Sequence, residues 1–200
     1  YELAFKMQMS VPGLMDIEDE PDHILESYGV KEADGSFAYN CLLARRMAER
    51  GVRFIHLYHR GWDHHNNLVQ YMNTCTGLCD RPTAALIKDL KQRDMLKDTL
   101  VMWGGEFGRT PHAQNNDGRD HNNRGYTMWM AGGDVKGGTT VGATDEFSLR
   151  GIGDTIHVRD VHATILDLMG LDQEAVNYQH AGRIRKLTDL GGRVLKDIVG

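Results

Sequence analysis

The chain has 200 residues, a formal net charge of -5 and 40% hydrophobic residues, enough for a packed core in one ordinary domain. Its charged residues, 26% of the total, are scattered rather than gathered into a basic face, which argues against a nucleic-acid partner. No run of about 18 apolar residues occurs, so no membrane span is expected.

Tyr1-Glu2-Leu3-Ala4-Phe5-Lys6 has neither an initiating Met nor the long apolar stretch of a signal peptide, so the start reads as an interior point of a longer protein. Residues 1 to 35 are polar and acidic, with Pro12, Pro21 and Asp34-Gly35 as breakers, and are expected to form loops and short helices that wrap a neighbouring surface. The whole chain, 1–200, is read as a single domain. Ser36 sits where a helix N-cap would, and Phe37, Cys41, Ala44 and Ala48 mark the apolar face of an amphipathic helix ending near Gly51. Val52 to Tyr58 then reads as a first strand that runs into a polar loop, Arg60 to Asn67.

Pro82 suits the first turn of the next helix, whose buried stripe is Leu86, Ile87 and Leu90. Thr99 to Trp103 is a second strand with no polar alternation, as expected of a strand covered on both faces of a parallel sheet. Gly104 to Gly108 ends it, a polar loop through Asn115 to His121 follows, and a third apolar run, Tyr126 to Ala131, stops at Gly132-Gly133. Asp160 is placed to cap a helix carrying Val161, Ile165 and Leu168, with Gly170 as its stop. The expected fold is α/β, a mainly parallel sheet flanked by helices.

Cys41, Cys75 and Cys79 cannot all pair with one another and lack the second ligand pair of a zinc ribbon, so they read as ordinary thiols. Three other clusters fall at strand ends, where ligands gather in open α/β sheets: Asp63-His64-His65, Glu106 and Asp120-His121. Together they offer the carboxylate and imidazole donors a divalent ion requires, although each alone is weak evidence, being more often solvated or locally hydrogen-bonded in a polar loop. His56 and His59 read as packing or surface residues and His162 as a structural histidine. The glycine-rich stretch from Gly132 to Gly142 lacks the phosphate-loop patterns and reads as a turn.

Asp98 to Gly108 resembles the sulfatase segment in which a Thr-Leu-Val strand runs into a metal-binding Asp, with Glu106 at that Asp. Asp160 to Leu171 resembles the helix near the end of sulfatase and phosphatase domains. Gly61-Trp62-Asp63-His64-His65, Gly104 to Pro111, Gly118-Arg119-Asp120-His121 and Ala181-Gly182-Arg183 together resemble a sulfatase-like family known as domain of unknown function fifteen-oh-one, within the alkaline phosphatase and sulfatase superfamily.

That resemblance implies an alkaline phosphatase-like fold of which this chain is the C-terminal part, and metal-assisted hydrolysis of a small anionic sulfate or phosphate ester. It implies Asp63, His65 and His121 as one metal subsite and Glu106 as part of a second. The metal would be Zn, Mn or Ca, and the full-length protein periplasmic or secreted. Asp120 is either a further ligand or an acceptor orienting His121. Arg109 and Arg119 lie close to the ligands and could grip the anion, while Arg119 and Arg124 could equally be surface ion pairs.

Two departures stand out. Phe107 occupies a position where the superfamily places a further polar residue, and no nucleophile is present, the family's own lying upstream of Tyr1. The chain alone is therefore expected to have little hydrolase activity. The alternatives are a phosphomutase and a non-catalytic binding or structural module that keeps the fold. Self-association into a homodimer is one way to cover an exposed sheet edge.

Overall fold

Ser36 opens a helix in the way its sequence predicts: its side-chain hydroxyl accepts the Tyr39 N–H at 3.1 Å. In a computed structural model, residues 1–186 and 191–200 are described, with residues 3, 4, 6–8 and 10 described at the backbone only. The chain divides into two compact units, one of Tyr1–Thr99 with Gln114–Arg119, the other of Leu100–Ala113 with Asp120–Gly200.

The first unit is helical: α1 is Glu2–Met15, α2 Asp22–Tyr28, α3 Phe37–Glu49 and α4 Leu68–Gln92. The segment 1–35 is thus more helical than its breakers suggest, and Pro12 lies inside α1. Tyr39, Cys41, Leu42, Leu43 and Ala44 of α3 are buried, and α3 packs on α4, whose buried residues include Cys75, Ala85, Leu86 and Leu90. α4 begins fourteen residues before Pro82, which sits buried in its interior. The missing N–H at an interior proline costs a helix about 3 kcal/mol, which the long apolar face of α4 offsets.

A charged network crosses this core. The guanidinium groups of Arg45 and Arg46, 2% and 3% exposed, share the buried Glu20 carboxylate. Arg45 also reaches Asp89 at 3.0 Å and Glu49 at 2.7 Å, and the Tyr28 hydroxyl donates to Asp89 at 3.1 Å. Glu20 sits on the α1–α2 connector, so the acidic segment is anchored by two buried cations whose charges would otherwise stand uncompensated.

Val52 to Tyr58, expected as a strand, forms none: among the described residues no backbone group pairs with Arg53 to Tyr58. Phe54, His56 and Tyr58 are exposed while Ile55 and Leu57 are half-buried, so the period-2 alternation of a strand exists without a ladder.

In the second unit β1, Val101–Trp103, pairs antiparallel with β4, Trp129–Ala131, stacking Trp103 on Trp129 with ring centroids 6.4 Å apart and ring planes nearly parallel. Between them β2, Gly108–Gln114, pairs with β3, Gly118–Asn122, across a turn at Asn115 to Asp117. β5, Ala143–Thr144, pairs with β6, Gly151–Ile152, and β7, Asn177–His180, with β8, Arg183–Lys186, both antiparallel. α5, Val158–Leu168, is capped by His157, with Asp160 at its third position accepting the His157 N–H at 2.9 Å. The Asp160 carboxylate also accepts the Arg193 N–H at 3.0 Å and Thr164 Oγ1 the Leu195 N–H at 3.0 Å, which ties the C-terminal segment to α5.

The expected mainly parallel, alkaline phosphatase-like sheet is therefore corrected. The strands form four separate two-stranded sheets, with no extended parallel sheet among the described residues. Parallel neighbours need a crossover of a dozen or more residues, usually a helix; β1 and β4 are instead joined through the β2–β3 hairpin and return antiparallel. No described helix is long and apolar enough to cross a membrane.

Candidate metal centre

The loop before α4 alternates like a strand. Trp62 and His64 turn inward, Asp63 and His65 outward: the His64 residue is 4% exposed, whereas the side chains of Asp63 and His65 are 63% and 32% exposed. The inward pair is held by ring contacts, Trp62 over His64 at 6.0 Å and His64 stacked on Tyr71 of α4 at 5.8 Å. Trp62 Nε1 also donates to His59 Nδ1 at 2.8 Å, and His59 meets the edge of Phe37 at 4.9 Å. Burial holds the His59 pKa below its ordinary value, in keeping with a neutral acceptor nitrogen. Gly61, at a left-handed φ of 99°, starts the loop where Cys75 Sγ contacts its carbonyl oxygen at 3.4 Å.

On the outward side Asp63 Oδ1 lies 2.8 Å from His65 Nε2. The other ring nitrogen, Nδ1, is hydrogen-bonded to Gln114 Oε1. The tip of the β2–β3 hairpin holds the loop backbone from the same side. The Arg119 N–H donates to the His64 carbonyl at 2.9 Å, Asn115 Nδ2 to the His65 carbonyl at 2.9 Å, and the Asn67 N–H to Asp117 Oδ1 at 2.8 Å. A Cβ at Gly118 would come within 2.0 Å of the His65 carbonyl oxygen, so the close approach requires glycine.

In the second unit His121 is exposed on β3, with the Phe107 ring 4.6 Å away. Glu106 is exposed in the bend between β1 and β2. Asp120 Oδ1 accepts the backbone N–H of His121 at 2.7 Å, and the Asp120 N–H donates to Thr110 Oγ1 at 3.0 Å. Arg109 is half-buried on β2, and the Arg119 guanidinium donates to the carbonyls of Asp117 and Gly118 at 3.2 and 2.9 Å.

Asp63 and His65 of the first unit bring a carboxylate and an imidazole together on one loop, and His121 of the second unit offers a further exposed imidazole. One carboxylate and two imidazoles suit a borderline divalent ion such as zinc, whose ligands are nitrogen and oxygen atoms at about 2.0–2.2 Å. Sequence reasoning missed Gln114, Asn115, Asp117 and Gly118 as supports of this loop. Their signal was the Asn-Asp-Gly turn in residues 116–118, which favours a hairpin over the open loop expected there.

A family described as Protein of unknown function (DUF1501) matches residues 1–199. No curated protein and no solved structure matches the chain.

Proposed function

The chain belongs to the DUF1501 family, and from that premise we propose that it binds a divalent metal ion at Asp63 and His65, with His121 as the further ligand that the resemblance implies, to hydrolyse a small anionic sulfate or phosphate ester. The observation that carries the reading is the outward-facing Asp63–His65 pair, 2.8 Å apart on a loop whose backbone is fixed by hydrogen bonds. An exposed carboxylate beside an imidazole, both pre-positioned, lowers the ordering penalty for taking up a cation. The resemblance of Asp98 to Gly108 and of Asp160 to Leu171 to sulfatase segments supports ester hydrolysis as the reaction.

A divalent ion held at Asp63 and His65 would supply Lewis acidity to the ester oxygens. In this proposal Glu106 belongs to a second subsite, as the resemblance implies, and Asp120, which accepts the backbone N–H of His121, is a further ligand or the acceptor that orients His121. Arg109 supplies positive charge to the anion. Arg119 does the same only after releasing the two carbonyls that now hold its guanidinium. No side chain of this chain is assigned as nucleophile.

The test is elemental analysis of the purified protein after dialysis against zinc, manganese and calcium, repeated on Asp63→Ala and His121→Ala, followed by turnover of an aryl sulfate and an aryl phosphate. Bound metal that disappears in both variants, with metal-dependent turnover in the full-length protein, is the expected outcome. A parent that takes up no metal overturns the proposal. A second reading, metal binding without catalysis, is favoured by Phe107, whose ring packs on His121 where a further ligand would be needed. Metal uptake with no turnover of either ester by the full-length protein would select it, and transfer of phosphate within one substrate would point to a phosphomutase.

A further inference from the structure

An imidazole gives a metal one nitrogen, and which one depends on what holds the other. In His65 the two nitrogens face different partners within the first unit: Nε2 lies 2.8 Å from Asp63 Oδ1, and Nδ1 is bonded to Gln114 Oε1. A cation shared between Asp63 and His65 must therefore meet Nε2. That nitrogen must then offer its lone pair, any proton on it leaving to solvent, so the ring's remaining proton sits on Nδ1, where it needs an acceptor.

We propose that Gln114 is the positioning residue of the metal centre: its side-chain carbonyl accepts the Nδ1–H of His65 and so commits Nε2, beside Asp63, to the metal. This rests on the metal-binding reading of Asp63 and His65 given above. The surroundings favour a positioning role over incidental contact. Asn115, the next residue, holds the His65 carbonyl at 2.9 Å, and Gly118 lets the hairpin backbone press against that same carbonyl. Ring and backbone of His65 are thus gripped together by Gln114–Gly118, which leaves the ring little room to present Nδ1 instead. The glutamine is half-buried, so water competes weakly for its amide. Gln114 adds no charge at Nδ1, and the imidazole is a neutral ligand once any proton on Nε2 has passed to solvent in exchange for the metal.

The experiment is zinc affinity by titration calorimetry at one fixed pH on the whole chain, for the parent, Gln114→Ala and Gln114→Glu. Loss of an outer partner of a metal-bound histidine weakens binding by roughly 10–100-fold, and that is the expected loss for Gln114→Ala. Gln114→Glu keeps an acceptor of nearly the same length and is expected to bind zinc as tightly as the parent or more so. Long-range nitrogen–proton correlations on the zinc-loaded parent should show His65 protonated at Nδ1 and bound through Nε2. An unchanged affinity in Gln114→Ala, an equal loss in both variants or zinc on Nδ1 overturns the role of Gln114 while leaving the metal site standing. A parent that takes up no zinc overturns both.

Discussion

Gly118 is where one atom most constrains the site. A methyl group there meets the backbone carbonyl of His65 at 2.0 Å, and a backbone atom cannot swing aside as a flexible side chain can. Gly118→Ala is expected to destabilise the protein by about 1–3 kcal/mol, the usual range for overpacking, in urea unfolding monitored by circular dichroism. It should also weaken metal uptake by displacing the His65 loop. Asp160 offers a pH-dependent prediction. Burial pushes its carboxyl pKa up, but the N–H groups of Arg193 and His157 and the Arg193 charge outweigh that and hold it below the ordinary value. A depressed folded-state pKa contributes stability that is present above the unfolded value, near 3.9, and is lost as pH falls through the folded value. Asp160→Asn should therefore flatten the fall in thermal stability below about pH 4 and leave a smaller pH dependence on that side. An acid limb as steep as the parent's would refute it.

At the scale of elements, legibility followed whether the information was local. Ser36 and the Phe37-Cys41-Ala44-Ala48 spacing predict α3, and the structure starts that helix at Phe37 with the Ser36 cap in place. Gly170, at φ 72°, stops α5 as its position predicts, whereas the cap proved to be His157, three residues before Asp160, because Asp160 serves the same end from inside the helix. Val52 to Tyr58 shows the limit: β propensity is a property of the segment, but a strand also requires a partner that the segment cannot specify. The outward pair Asp63 and His65 was legible by residue type, while Gln114, some fifty residues away, was not, because only the hairpin brings it to the loop. Pro82 was read as a start because nothing local announces the packing that carries α4 through it. Pro82→Ala should restore the missing backbone bond and raise the unfolding free energy by roughly 1–3 kcal/mol, less whatever the buried pyrrolidine contributed to packing.

The molecule as a whole has uneven solidity, and hydrogen exchange should display it. Slow exchange is expected in α3 and α4, which bury Leu42 and Leu90 at 0% and 2% exposure and carry the Arg45–Glu20–Arg46 network between them and the N-terminal segment. Every residue of β7 and β8 is exposed, and a two-stranded hairpin without a covered face is marginal in water, so its amides should exchange fastest among the strands. Protection of β7 and β8 equal to that of α4 would show that another surface covers the hairpin.

The membership of Gln114–Arg119 in the first unit has a practical corollary for anyone who would divide this protein. The polypeptide passes from one unit to the other after Thr99, back before Gln114 and across again after Arg119. A single scission therefore cannot separate the units cleanly. A recombinant piece ending at Thr99 would carry Asp63 and His65 but none of the five residues that brace their loop, Gln114, Asn115, Asp117, Gly118 and Arg119, so the loop should be protease-sensitive. Supplying the hairpin as a separate synthetic peptide would make that bracing a bimolecular equilibrium, with an affinity that can be titrated like any ligand's.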